Sequence, residues 1–245
     1  ELVSSAIIEA VKITGMPDGI FSNINSSGIQ TGIDLVNNHL VKAVGFTGSL
    51  NAGRSLLNLA NKRDEPIPIF AEMGSVNPVI ILPEILQNDC DSIAANYAKS
   101  ITLGSGQFCT NPGVIIGLKS DIFTQFVNSL SSSILDISPS CMLHPNILKN
   151  FEKNKNKLIS SNSVKVVADF KSSTKPNYSS QALALVGGLD FINNRDLQEE
   201  IFGPFSLIVE CEDMQQLKSV VKQMSGQLTG TILASNNEMS LNKDL

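Results

Sequence analysis

The sequence has no tryptophan, two tyrosines and only two histidines, His39 and His144, in 245 residues. So few imidazoles leave little from which to build a zinc site, or a relay in which histidine activates a nucleophile. No metal is expected. The four cysteines, Cys90, Cys109, Cys141 and Cys211, form no CxxC pair and no disulfide-framework rhythm. Basic residues are scarce as well: 18 Lys and Arg against 23 Asp and Glu, a formal net charge of −5. Without a basic stripe interleaved with aromatics, nucleic acid is not the expected partner. No apolar run approaches the ~20 residues of a membrane span. No charged-then-apolar leader precedes the first domain signals, so a reducing cytoplasm is the expected location.

What is present reads as a globular protein. The hydrophobic fraction is 42% and the charged fraction 17%, enough for one large or two modest domains with a sizeable core. The first residues, ELVSSAIIEAVKIT, have helical spacing at Leu2, Ile7, Ile8 and Val11. The chain opens without Met inside this segment and ends at Asp244 and Leu245 inside another expected helix. Both ends look cut, and a piece of a longer protein is expected.

Strand-like and helix-like segments alternate along the chain. GIFSNI (19 to 24) is a possible short strand, IDLVNNHLV a helix, VKAVGFT a strand, and GSLNAGRSLLNLANKR a glycine turn opening a helix. PIPIFAEM is a strand with Pro66 and Pro68 at its entry, where proline is tolerated. NPVIILP, GVIIGL, QALALVGG and FSLIVEC are further strands. DSIAANYAKSITLG and DIFTQFVNSLSSSIL are helices. Residues 150 to 180 are rich in Lys, Asn and Ser, and read as a peripheral helix and strand with loops around VKVVADF. The alternation predicts an α/β protein with a parallel sheet.

Three stretches carry chemistry. GSLNAGRS (48 to 55) follows a strand and opens a helix, which aims backbone N–H groups at an anion. It nearly fits the phosphate-loop pattern GxxxxGK[ST], with Arg54 where the lysine stands and Asp169 as a possible acidic partner. A plain strand-to-helix turn, a dinucleotide site and a P-loop all remain open at this stretch. In PIPIFAEMGS, Glu72 ends an apolar strand. It reads either as a buried general base with a raised pKa or as a solvated strand-end carboxylate. In GSGQFCTNPG (104 to 113), Cys109 sits among glycines and small polar residues. It reads either as an inert small hydrophobe or as a reactive thiol, for which Glu72 is the candidate base.

FTGSLNAG (46 to 53), AEMGS (71 to 75), GQFCTNPG (106 to 113) and EEIFGP (199 to 204) occur in this order. Together they resemble the aldehyde dehydrogenase superfamily over essentially the whole chain. Gly74-Ser75, where most of the superfamily has Gly-Gly, is similar to the α-ketoglutaric semialdehyde (2,5-dioxovalerate) dehydrogenases and the related NADP-dependent long-chain aldehyde dehydrogenases. The resemblance implies an aldehyde dehydrogenase-like α/β fold. Residues 1–72 would be the C-terminal half of a Rossmann-type cofactor domain. Residues 73–245 would be most of a second, catalytic α/β domain, incomplete at its C-terminus.

The resemblance also implies roles. Cys109 adds to the aldehyde carbon, its N–H forms one arm of the oxyanion hole, and a thioester follows hydride transfer to NADP or NAD. Glu72 activates the hydrolytic water, facing one cleft with Cys109. Thr47, Gly48 and Ser49 contact the cofactor near the nicotinamide and pyrophosphate. Glu200 holds the nicotinamide-side ribose, Phe202 packs near that end, and Phe108 lines the aldehyde pocket. The family's oxyanion-hole asparagine, first Rossmann strands and oligomerisation arm would lie outside these residues. Little activity is therefore expected of them alone, and a homo-oligomer is expected of the full-length protein. A P-loop-like nucleotide-binding module and a non-catalytic structural relative are the alternatives.

Overall fold

The computed structural model describes residues 1–170 and 175–243. It divides into two compact units, Glu1–Met73 and Gly74–Leu245.

The first unit holds helices α1 (Leu2–Ile13) and α2 (Ile29–Asn37), strand β1 (Val44–Thr47), helix α3 (Leu50–Asn61) and strand β2 (Ile69–Glu72). β1 and β2 pair in parallel, with Val44 opposite Ile69 and Thr47 opposite Glu72. Right-handed crossover through α3 is the usual way to join such a pair. The core here is small. Val36, Ala60 and Ile67 are buried, with Val44, Leu56 and Ile69 packed against them. Arg63 Nη1 donates to the carbonyls of Val36 and Val41, which ties the exit of α2 to the end of α3. α1 has the helical form its spacing predicts, yet none of its residues is buried: Leu2 is 89% exposed. The possible strand at 19 to 24 is not one; these residues form no ladder.

The second unit is built on a six-stranded sheet in the order β10-β3-β4-β9-β8-β6. Its elements are β3 (Val79–Ile81), α4 (Pro83–Thr102), β4 (Val114–Leu118), α5 (Asp121–Leu135), β5 (Ser140–Cys141), α6 (Pro145–Ile159), β6 (Lys165–Asp169), β7 (Tyr178–Ser179), β8 (Ala182–Gly187), α7 (Gly188–Asn193), β9 (Phe205–Cys211), α8 (Met214–Gln223), β10 (Thr231–Leu233) and α9 (Asn236–Leu241). Short 3-10 turns cover Leu103–Gly106 and Arg195–Gln198. All pairings in the large sheet are parallel except the edge pair β6–β8, which is antiparallel.

Alternate residues of the central strands feed two cores, as the two-residue period of a strand dictates. Val114, Ile116, Leu207 and Val209 face one core with Phe151, Phe205 and Leu217. Ile115 and Ile208 face the other, with Leu86, Ile101, Phe123 and Phe126 of α4 and α5. Both faces are thus covered by helices, the condition under which a parallel sheet is stable. α4 starts at Pro83, eight residues before the helix expected from DSIAANYAKS, and carries non-helical backbone at Asp89. Its first turn uses Pro at a position where no N–H is needed. α8 and β10 have no counterpart in the sequence reading. The terminal helix expected to run to Asp244 and Leu245 closes at Leu241, and those last two residues lie outside the described ones.

Candidate active site

The glycine turn of the first unit is short. β1 ends at Thr47, and α3 begins at Leu50 with Ser49 as its cap, its side chain accepting the Ala52 N–H at 3.3 Å. Gly48 N–H donates to the Glu72 carbonyl at 3.1 Å and so extends the β1–β2 ladder. A Cβ at Gly48 would lie 2.6 Å from the tip of the Phe46 ring, which would have to swing aside for a larger residue. Thr47, Gly48 and Ser49 are exposed. A P-loop needs a wrap of several residues before its helix. Here Gly53 and Arg54 are already inside α3, with Gly53 buried against Met73. Asp169 ends an antiparallel edge strand of the other sheet. The geometry therefore overturns the P-loop reading of GSLNAGRS.

Glu72 ends β2 at its carboxyl end, where α/β sheets gather their ligands. Its side chain is exposed. Of the two readings of Glu72, the first unit by itself shows the solvated one: alternation along IFAE turns Ile69 and Ala71 inward and Phe70 and Glu72 outward.

In the second unit, Cys109 follows an unusual turn. Gly104, Ser105 and Gly106 all have left-handed backbone, at φ 56, 58 and 65. Glycine enters this region freely, while a serine there costs about 1 kcal/mol. Ser105 is 1% exposed, and its hydroxyl meets Ser140 Oγ at 2.6 Å and the Cys141 carbonyl at 3.2 Å. These bonds offset the strain. Gln107 adds a second tie, accepting the Leu143 N–H and donating to the Gly104 carbonyl. The turn continues with Asn111 N–H donating to the Phe108 carbonyl at 3.0 Å. Cys109 at its tip is exposed, and so is Phe108 at 48%.

The back of this turn meets EEIFGP. A Cβ on Gly106 would stand 2.2 Å from the carbonyl carbon and oxygen of Gly203, and one on Gly203 would stand 2.2 Å from the Phe151 ring. Two sequence motifs nearly a hundred residues apart are thus packed backbone to backbone. A crevice between them is lined by Ser75, Phe108, Asn111, Glu200 and Phe202. Three of the residues singled out from the sequence, Phe108, Glu200 and Phe202, come together here.

Glu200 is half-buried, and burial pushes its carboxyl above the usual value, opposed by the Ser75 N–H that donates to Oε1 at 3.3 Å. Gly74 leaves room for the other oxygen, since a Cβ there would stand 2.4 Å from Oε2. Asn111 Oδ1 is buried without a hydrogen-bond partner, while its Nδ2 donates to the Gly203 carbonyl at 3.3 Å. A carboxylate acceptor, an orphaned amide oxygen and two phenyl rings border this crevice. No cluster of three or more metal-ligating side chains exists among the described residues.

The sequence reading passed over Asn77. It is 3% exposed, with left-handed backbone at φ 45. Its Nδ2 donates to the carbonyls of both Cys109 and Asn111, each at 2.9 Å. The Asn77-Pro78 pair was the available signal, because Asn-Pro marks a turn.

Residues 1–242 match the aldehyde dehydrogenase family, and the chain belongs to it. It is 39% identical over its whole length to an alpha-ketoglutaric semialdehyde dehydrogenase of Acinetobacter baylyi, covering 46% of that protein. It is 36% identical over its whole length to alpha-ketoglutaric semialdehyde dehydrogenase 2 of Azospirillum brasilense, covering 47%. The chain thus spans about half the length of these curated relatives. Among solved structures, proline utilization A from Bdellovibrio bacteriovorus superposes with a TM-score of 0.83 at 19% identity, over 99% of this chain and 26% of that one. The α/β fold is the aldehyde dehydrogenase fold expected from the four motifs. No helix among the described residues is long and apolar enough to cross a membrane.

Proposed function

We propose that this chain is the nucleophile-bearing part of an NAD(P)-dependent dehydrogenase that oxidises α-ketoglutaric semialdehyde to α-ketoglutarate. The observation that carries the proposal is the exposed Cys109 thiol, held on a braced turn beside the crevice of Glu200 and Phe202. The substrate is drawn from the two relatives of that name, each matched over the whole chain.

In this reading the Cys109 thiolate adds to the aldehyde carbon and the oxygen takes up the negative charge. The Cys109 N–H stabilises that oxyanion. A nicotinamide cofactor, when bound, would supply the hydride acceptor, and Cys109 would then hold the acyl group as a thioester. Glu72 takes a proton from water, the hydroxide attacks the thioester, and the carboxylic acid leaves with the thiolate restored. Glu200 would hold ribose hydroxyls, Phe202 would pack on the nicotinamide end, and Phe108 would border the aldehyde. Gly48 and Ser49 would serve the pyrophosphate and Thr47 would sit near the nicotinamide, the residues up to Glu72 forming the cofactor half and those beyond it the catalytic domain. NADP is the proposed cofactor, from the Gly74-Ser75 branch pattern, and a homo-oligomer in a reducing cytoplasm the proposed state.

The test is Cys109→Ser and Glu72→Gln in the full-length protein, assayed with the semialdehyde and with NADP+ or NAD+. Cys109→Ser is expected to lose turnover by on the order of 10³-fold or more. Glu72→Gln is expected to keep a first-turnover burst of reduced cofactor and lose about 10²-fold or more in steady state. Unchanged rates in both refute the roles. A higher kcat/KM for a long-chain alkanal than for the semialdehyde would replace the substrate while keeping the chemistry.

A further inference from the structure

We infer that Asn77 is a positioning residue for Cys109, and that the segment Gln227–Thr229 acts on the nucleophile through it. The inference rests on the reading of Cys109 as nucleophile. Asn77 Nδ2 bridges the carbonyls of Cys109 and Asn111, so one amide holds both ends of the Cys109–Asn111 turn. The orientation of this amide is dictated by its neighbours. Carbonyls only accept, and the Thr229 N–H, 3.3 Å from Asn77 Oδ1, only donates. Thr229 Oγ1 adds a second donor to Oδ1 at 3.0 Å.

Ser75 completes the frame. Its Oγ lies 2.9 Å from both Asn77 Oδ1 and Gln227 Oε1, and it accepts the N–H groups of Leu228 at 3.0 Å and Asn77 at 3.3 Å. Gln227 Oε1 also takes the Val76 N–H at 2.8 Å. Ser75 and Asn77 are the buried members, and opening their bonds would strand polar atoms away from water, so the pair resists displacement. The 109–110 and 111–112 peptides are therefore each held by their carbonyl, which fixes the direction of the Cys109 backbone without touching the thiol. Left-handed backbone at Asn77 turns the side chain under the loop, and asparagine tolerates that region better than most residues.

Two substitutions separate the clamp from the strain. Asn77→Asp keeps the shape but has no amide donors. Asn77→Gly keeps the left-handed backbone without cost and has no side chain. Iodoacetamide labelling of the protein, without aldehyde or cofactor, is read as the Cys109 to Cys141 rate ratio by peptide mass spectrometry. Cys141 is the other exposed thiol and serves as the internal reference. In both variants the ratio is expected to depart from the parent value by more than threefold. In the aldehyde assay of the full-length protein kcat is expected to fall about tenfold or more, with aldehyde KM within threefold, since a small misplacement of a reacting group is costly. A ratio within threefold of the parent in either variant overturns the inference, as does a kcat loss matched by the rise in KM. If the full-length parent oxidises no aldehyde, the proposed function fails, and the labelling ratio alone still decides the positioning role. Should neither variant fold, Thr229→Val removes one anchor of the Asn77 amide. A ratio change above twofold there supports the inference and a smaller one overturns it.

Discussion

Gly106 and Gly203 touch backbone to backbone: a Cβ on Gly106 would stand 2.2 Å from the carbonyl of Gly203. This contact joins the turn that carries Cys109 to the segment that carries Glu200 and Phe202. Neither glycine has a soft neighbour that could give way. Gly106 also has φ +65, where a side chain adds strain. Gly106→Ala is expected to destabilise the protein by about 3 kcal/mol or more. Urea denaturation of parent and variant measures it.

Glu200 gives a pH dependence of a definite sign. Burial raises its carboxyl above the usual 4.5, so the folded state binds a proton more readily than the unfolded chain. The contribution of Glu200 to stability is then greatest below 4.5 and falls as pH rises through the folded value. Glu200→Gln has no charge to desolvate and still presents an oxygen to the Ser75 N–H. Its Tm is expected to equal or exceed the parent's at pH 7.5. Thermal melts across pH 4 to 8 check this: the difference should shrink toward the acid end.

The four thiols should fall into two classes. Cys109 and Cys141 are exposed, whereas Cys90 and Cys211 are buried. Burial, with Asp213 and Glu210 nearby, pushes the Cys211 thiol up to about 12. Burial and Asp91 also raise Cys90. A small disulfide reagent is expected to modify two thiols rapidly in the folded protein and the other two only after denaturant is added. Rapid reaction of Cys211 would contradict the packing around it.

Glu238 serves two helix starts at once. Its Oε2 accepts the Ser235 N–H at 3.0 Å in the capping box of α9. Its Oε1 accepts the Glu84 N–H at 2.8 Å in the first turn of α4. Ser235 Oγ in turn donates to Glu84 Oε2. Because Glu238 is 7% exposed, little water can replace it. Glu238→Ala is expected to cost about 2 kcal/mol, more than an ordinary cap, with amide hydrogen exchange rising at both helix starts.

Much of the fold was legible in the chain. Strong local patterns such as VGFT, IFAE, VIIGL, ALALVG and FSLIVEC each became a strand. Period and flanking turns decide such segments before any long-range contact forms. The segment at 19 to 24 is no strand, because six residues with three apolar side chains form one only when a partner lies beside them. β10 was missed for the same reason. Its three residues are a strand because β3 offers a parallel ladder, with Thr231 opposite Val79. The acceptance of GSLNAGRS as a possible P-loop failed at the helix start. A pattern of spacings does not say that Ser49 caps α3 and places Gly53 in the second turn.

The amino-acid order by itself pointed to the family the chain belongs to and singled out Cys109 as the candidate nucleophile, because the four motifs are local and their chemistry resides in residue types. Tertiary structure alone decided what holds that cysteine. Asn77, Ser75, Gln227 and Thr229 are polar residues with no shared spacing, and they meet only because β3 and β10 lie side by side in the sheet. A hydrogen-bond network depends on distances across the fold, and those distances come from packing two cores on the faces of one sheet.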